Sequence, residues 1–132
     1  MPRLVKGAKW TFGWAVVGPG REIGIPPEAW DEYGFQAGDE AIFTPGSRKS
    51  GGFGIGTPAL VAEANGKMGG AGLRVLGRGR FGDGRVGVPS QVNVRPGDQL
   101  MTVRGSCYCL GFIARGPIYQ EALKHPELEV FA

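Results

Sequence analysis

Histidine is nearly missing from this chain and cysteine is scarce: one His and two Cys stand among 132 residues. With His125 alone, no Ser/His/Asp set can be assembled. Cys107, Cys109 and His125 are too few for the four ligands of a structural zinc site. Cys107 and Cys109 flank Tyr108, so on a strand they share one face, too close for an unstrained disulfide. They read as free, inert thiols of a reducing compartment. No apolar run approaches the roughly 18–20 residues that span a bilayer. The opening Met1-Pro2-Arg3-Leu4-Val5-Lys6 holds no signal-peptide core. A soluble cytoplasmic protein without membrane contact is the expectation. Charge excess is small as well: 15 Lys+Arg against 12 Asp+Glu leave a formal net charge of +3, which by itself argues only weakly for nucleic acid.

Glycine, by contrast, is abundant. The 25 glycines make up nearly a fifth of the chain, against a usual share of roughly 7%. With the 10 prolines they approach a disorder-prone composition. They punctuate short apolar runs instead of forming low-complexity tracts, so many short strands joined by tight turns is the better reading. The length fits one domain over residues 1–132, large enough to bury a core.

Residues 1–9 are basic and unpatterned. From Trp10 to Val17 the residues alternate, with Trp10, Phe12, Trp14 and Val16 on one side and Thr11, Gly13, Ala15 and Val17 on the other, which predicts a strand. Gly18-Pro19-Gly20 turns the chain into a second strand at Glu22–Ile25. Pro26-Pro27 then opens a helix with Ala29, Trp30 and Tyr33 on one side and Asp31 and Glu32 on the other. Gly34 ends it, with Phe35 folding back on the last turn. Strands follow at Glu40–Thr44 and Gly52–Ile55 around the polar loop Pro45–Ser50. A helix at Ala59–Asn65, closed by Gly66, leads into a linker from Gly66 to Gly72. Near the end, Ile118–Lys124 forms a helix stopped at His125-Pro126, where His125 caps the end or faces solvent, and the tail after Pro126 alternates as an edge strand.

The chain also repeats itself. Gly38/Gly97, Asp39/Asp98, Gly46/Gly105, Ser47/Ser106, Gly52/Gly111, Phe53/Phe112 and Pro58/Pro117 all stand 59 positions apart. Upstream the spacing is 64 at Gly20/Gly84 and Arg21/Arg85, then 63 at Pro26/Pro89. The second copy has therefore lost one residue before its proline, and its helix shrinks to a turn at Ser90–Asn93. Two repeats, about 10–65 and 72–125, make one βαββ unit twice.

Gly-Arg, a short strand, Ile-Pro, a helix, Gly-Phe and x-x-Gly-Asp-Glu before a hairpin together resemble the AbrB/MazE/SpoVT swapped-hairpin family. The first copy carries the pattern at Gly20, Arg21, Ile25, Pro26, Gly34, Gly38, Asp39 and Glu40. The second carries it at Gly84, Arg85, Val88, Pro89, Gly97 and Asp98. The resemblance implies a mostly β fold, a pseudo-two-fold AbrB-like barrel in one chain whose two repeats replace the subunits of a dimer. It further implies DNA binding in a transcriptional regulator, or an antitoxin-like hold on a protein partner. Arg21 and Arg85 occupy the family's Gly-Arg position. On the helix, where DNA-binding relatives carry basic residues, this chain has Trp30 and Asp31 beside Glu28 and Glu32, and acidic groups there repel phosphate.

At the spacing of 64, Trp10, Phe12, Trp14 and Val16 align with Arg74, Leu76, Arg78 and Arg80. An aromatic face in one copy has become an arginine face in the other. Arg74, Arg78 and Arg80 with Arg85 either form a phosphate-binding stripe or lie as a solvated face over apolar neighbours. Arg48-Lys49 in the Pro45–Ser50 loop either adds phosphate contacts or, as is usual for a loop charge pair, is simply solvated. Trp10, Phe12 and Trp14 read foremost as core; a partner surface, self-association (with Trp30) or base stacking is the alternative. Gly77-Arg78-Gly79-Arg80-Phe81-Gly82 satisfies G-x-G-x-x-G literally, but no helix follows, so it is no dinucleotide fingerprint. Asp39 and Asp98 sit in equivalent turns and cap them. The sequence thus predicts no catalytic residue, metal or cofactor. It predicts DNA contacts through Arg21, Arg74, Arg78, Arg80, Arg85, Arg48 and Lys49, with a protein-interaction module as the rival.

Overall fold

The first strand does not alternate as its spacing predicts, and the reason is a bulge. In the computed structural model, which describes residues 11–68, 73–106 and 108–131, strand β1 (Thr11–Val16) pairs with a later strand, β7 (Gln99–Arg104). Thr11 stands opposite Val103 and Gly13 opposite Thr102, so Phe12 is the extra residue between them. A bulge of this kind re-aims a side chain. Phe12 therefore joins Ala15 and Val17 in the main core, while Trp14 packs in a second cluster. Gly13 (φ 146°) allows the close approach, since a Cβ there would lie 2.6 Å from the Glu129 carbonyl. The expected start of the strand at Trp10, the lead-in before it and Cys107 lie outside the described residues.

The remaining elements are β2 (Glu22–Gly24), α1 (Pro27–Glu32), β3 (Glu40–Pro45), β4 (Phe53–Gly56), α2 (Pro58–Met68), β5 (Gly77–Arg80), β6 (Arg85–Gly87), β8 (Leu110–Ile113), α3 (Pro117–Ala122) and β9 (Val130–Phe131). The fold is mostly β. Seven strands form one sheet in the order β5-β3-β4-β8-β7-β1-β9, and β2 pairs with β6 in a separate ribbon. The sheet does not close into the expected barrel. Its far edge ends on two-residue β9, parallel to β1. The two strands that would bridge the gap, β2 and β6, spend their ladder bonds on one another, with a single further bridge from Val86 to Phe81.

Register is informative. At one end of the sheet Trp14 faces Met101, Ala15 faces Leu100 and Val16 faces Gln99. At the other, Arg78 faces Ile42, Gly79 faces Ala41 and Arg80 faces Glu40. Each pair maps onto the other when β1 is advanced by 64 and β3 by 59. Between them, β4 meets β8 with Phe53 opposite Phe112, the rings stacked at 5.1 Å. In the ribbon, Ile23 lies opposite Val86.

Period-two alternation divides the sheet's faces. Phe43, Phe53, Ile55, Leu100, Leu110 and Phe112 point into the main core, beneath α1 and the ribbon. Burial of each large side chain stabilises by about 1.5–3 kcal/mol. On the other face Trp14, Met101, Val103 and Ile113 pack under α3, with Trp14 edge-on to Tyr119 at 5.2 Å.

Helix α1 begins and ends as its residues predict. Pro27 fills the first turn, where a missing N–H costs nothing. At its end Phe35 N–H donates to Trp30 (3.0 Å) and Gly34 N–H to Asp31 (3.2 Å), with Gly34 at φ 69°. That is a Schellman motif, and the Trp30–Phe35 ring contact at 6.0 Å supplies its apolar clasp. Helix α2 runs past its expected stop. Gly66 lies inside it, while Val61 and Ala64 are buried, so tertiary packing outweighs a glycine cost of about 1 kcal/mol. The expected linker is correspondingly shorter, and its residues 69–72 lie outside the described residues. Ser90–Asn93 is a turn holding buried Val92.

Candidate nucleic-acid interface

Arg21 sits at φ 58°, a left-handed backbone unusual for a non-glycine residue. Its guanidinium reaches across to the turn after Pro89 and donates to three carbonyls: Pro89 (2.8 Å), Val92 (2.8 Å) and Val94 (3.1 Å). Those carbonyls belong to the segment that has lost its helix, so Arg21 satisfies acceptors that helical bonds would otherwise occupy. Its donors are turned into the fold, away from any duplex.

The match of Arg21 to Arg85 is also corrected by backbone geometry. Ile25 N–H donates to the Gly84 carbonyl and Val88 N–H to the Arg21 carbonyl, both at 2.8 Å. Gly84 shares the positive φ, at 71°. Arg21 thus corresponds to Gly84, and Glu22 to Arg85. On the expected repeat, this alignment puts the residue missing from the second copy in the turn before, Gly18–Gly20, and not in the stretch before Pro89. Glu22, opposite Gly87, and Arg85, opposite Gly24, then pair diagonally across the ribbon at 3.5 Å.

On β5, Arg78 and Arg80 are exposed on one side, as the alternation predicts. Both have neighbours to hold them: Arg78 pairs with Glu40 at 2.5 Å, and Arg80 donates to the Gly38 carbonyl at 2.6 Å. The strand is a sheet edge, and arginines on an edge also discourage pairing with other chains. Arg74 is exposed but precedes β5 and lies on no strand, so the expected strand-borne stripe is interrupted.

Arg48 and Lys49 are exposed at the tip of the β3–β4 loop. The loop is held by a Ser47–Ser50 hydroxyl bond of 2.7 Å and by Ser50, whose carbonyl accepts Ala114 N–H (2.8 Å) and Arg115 N–H (3.0 Å). Arg115 adds a side-chain bond to the Arg48 carbonyl at 2.8 Å. No carboxylate pairs with Arg48, Lys49, Arg74 or Arg115 among the described residues. Arg115 escaped sequence reasoning because only folding brings the chain after β8 to this loop. The register of β5 along β3, continued from Leu76 N–H on the Phe43 carbonyl (2.7 Å), carries Arg74 towards the same loop. Of the 12 acids, Glu22, Glu28, Asp31, Glu32, Glu40 and Asp83 lie around α1, the ribbon and the start of β3, while Glu63 lies on α2 and Glu121 on α3.

The aromatic candidates are largely internal. Phe12 and Trp14 are buried, which rules out their serving as a partner surface or stacking platform in this conformation. Trp30 is half-buried, with edge-on contacts to Phe35 and Phe81 (5.6 Å). Trp10 lies outside the described residues. Another pairing that the sequence did not reveal is the two-pronged one of Glu32 on α1 with Arg104 on β7, one prong Nε to Oε2 at 2.7 Å. Its hydrogen bonds to the Glu32 carboxylate hold Arg104 above its ordinary pKa.

Among the described residues no three His, Cys, Asp or Glu side chains converge, and no helix is long and apolar enough to cross a membrane. Burial pushes the Cys109 thiol up, away from nucleophilic reactivity. His125 is drawn up by Glu127 (2.7 Å) and Glu121 (3.4 Å), and its backbone N–H closes the end of α3 on Ala122 (3.0 Å). No protein-family model, curated protein or solved structure matches the chain.

Proposed function

We propose that the chain is a single-polypeptide counterpart of a swapped-hairpin dimer that binds duplex DNA as a transcriptional regulator, through exposed cations of its β3–β4 loop and β5 edge. The shared strand registers support the first half of that reading. Under the shifts of 59 and 63, Phe53–Phe112 and Ile23–Val86 are each their own counterparts, as residues on a two-fold axis must be. Neither half could bury its apolar face alone, and fusion removes the entropic cost of association.

The observation that carries the DNA reading is the group Arg48, Lys49 and Arg74, exposed and without carboxylate partners among the described residues. Arg78 and Arg80 extend it along the β5 edge with part of their donors engaged. Arg21 is removed from the contact set by its carbonyl bonds, and Arg85 is offset by Glu22. Phosphate contacts from exposed loops and strand edges favour sequence-tolerant binding.

A salt titration on random duplex tests this. Log affinity falls linearly with log salt, and Arg48→Ala/Lys49→Ala flattens the slope by about 0.9 for each phosphate that the variant no longer neutralises. Arg21→Ala leaves the slope unchanged. Absence of duplex binding at about 50 mM salt refutes the reading. A protein-interaction module is then in front, favoured by the Glu22–Arg85 pair and by exposed Glu28 and Asp31 on α1. Sedimentation showing a complex larger than one chain supports that rival.

A further inference from the structure

On the face of the sheet turned away from the main core, the centre is paved with glycine. Gly54 on β4 and Gly111 on β8 stand opposite one another, where each neighbouring strand residue on the other face is a large apolar side chain. The missing side chains leave a slot of about 330 Å³. It is walled by Val103, Ile113 and Cys109, with Ala64 of α2 and Leu73 closing one side. Thr44 and Val103 close in over the glycines, since a Cβ at Gly54 would sit 2.8 Å from the Thr44 hydroxyl and one at Gly111 3.0 Å from a Val103 methyl, so the slot is narrow and a side chain at either position would obstruct it. The size falls within the roughly 300–1,000 Å³ usual for small-molecule sites, and so does an apolar lining with few polar groups.

Beside the slot lies a second hollow of about 220 Å³, which shares Ser47, Ser50 and Ile113 with it. That hollow adds Lys49 and Arg115. Arg115 is fixed there: one nitrogen donates to the Arg48 carbonyl, and another lies 3.0 Å from where a Cβ of Gly51 would be. Its remaining N–H groups and the Lys49 ammonium have no carboxylate partner among the described residues. An apolar slot thus adjoins a hollow that carries two cations and two hydroxyls.

We propose that this composite slot binds a small amphipathic anion, an unbranched carboxylate of medium chain length. Its hydrocarbon lies on the Gly54–Gly111 floor and its carboxylate meets Lys49 and Arg115. Straight, narrow chains suit a floor that lacks side chains, and a charged head satisfies cations that otherwise face only water. The site shares Lys49 with the cation group proposed to meet DNA, but its chain-length dependence and the amide shifts at its glycine floor are read without DNA, so failure of one reading is distinguishable from failure of the other.

Calorimetry on the full chain with hexanoate, octanoate, decanoate and octanol tests the site. Affinity should rise about four-fold per added methylene until the slot is full. Octanol should bind at least ten-fold more weakly than octanoate. Arg115→Ala/Lys49→Ala should remove that preference while leaving octanol unchanged, and Ser47→Phe, at an exposed position, should block both. In the unsubstituted protein, octanoate should move the backbone amide resonances of Gly54, Gly111 and Cys109, a readout that depends on no variant. Affinity indifferent to chain length, octanol binding as well as octanoate, amide shifts confined to other residues, or no binding at about 1 mM would each overturn the proposal.

Discussion

Removing the Arg21 side chain should cost stability and leave nucleic-acid affinity alone. Its guanidinium donates three bonds to the Pro89, Val92 and Val94 carbonyls. Hydrogen bonds to a charged group are worth roughly 1.5–3 kcal/mol each. Because Arg21 is half-buried, water replaces part of each bond, and three bonds from one head are not additive. A loss of about 2–3 kcal/mol follows for Arg21→Ala. Arg21→Gly loses the same bonds but relieves the φ of 58°, so it should recover about 1 kcal/mol of that loss. Arg21→Lys keeps the charge, yet a compact ammonium cannot match a planar fork on three carbonyls, and it should fall between the parent and Arg21→Ala. Urea unfolding followed by tryptophan fluorescence measures all three. An Arg21→Ala midpoint equal to that of the parent, or a drop in duplex affinity without loss of stability, would refute the assignment.

Thr102 has a buried hydroxyl without a hydrogen-bond partner among the described residues; Thr102→Val should raise stability by about 1 kcal/mol in urea melts. Gly34→Ala meets no atom within 4 Å but must adopt φ 69°, so it should lose about 1–2 kcal/mol by the same measurement, from backbone conformation alone. Proton NMR of His125 should place its titration midpoint above the ordinary histidine value, and Glu127→Gln should lower it. The raised folded pKa means the His125 pair contributes below the unfolded pKa and that contribution fades as pH climbs through the folded one, so Glu127→Gln should destabilise at mildly acidic pH and not at alkaline pH.

Much of the backbone plan was legible because it rests on local punctuation. Pro26-Pro27 and Gly34 bound α1 within a residue or so, and the spacing of 59 counted from Gly38, Asp39 and Phe53 recurs in strand register. What escaped needs three-dimensional information. Alternation cannot reveal that Phe12 is skipped by its partner strand, so it placed Phe12 and Trp14 on one face. Identity at Gly20-Arg21 and Gly84-Arg85 suggested one alignment, while the backbone chose another by a single residue. The arginine candidates were visible as residues but their partners were not: Glu40, Gly38, Glu22 and the Pro89–Val94 carbonyls all approach from elsewhere in the chain. The closed barrel failed because short β2 and β6 satisfy one another before they can bridge the sheet's edges.

Where the two halves meet, the interior has kept its likeness and the rim has not. Phe53 stacks on Phe112 and Ile23 faces Val86, because both sides of the central contact must fill the same volume at close-packed density. One shell out, counterpart positions have diverged into complements: Glu22 with Arg85, Trp14 against Arg78, a helix at α1 against a turn held by Arg21. Like residues at Glu22 and Arg85 would place two equal charges side by side across the ribbon, which is destabilising. Opposite charges attract only when one half meets the other, so this rim favours the halves of one chain over two copies of the same half. On the proposed reading of a fused pair, each position can change without its counterpart changing too. On that reading, a face under α3 on one side stays apolar while its counterpart on β5 is arginine-bearing and exposed.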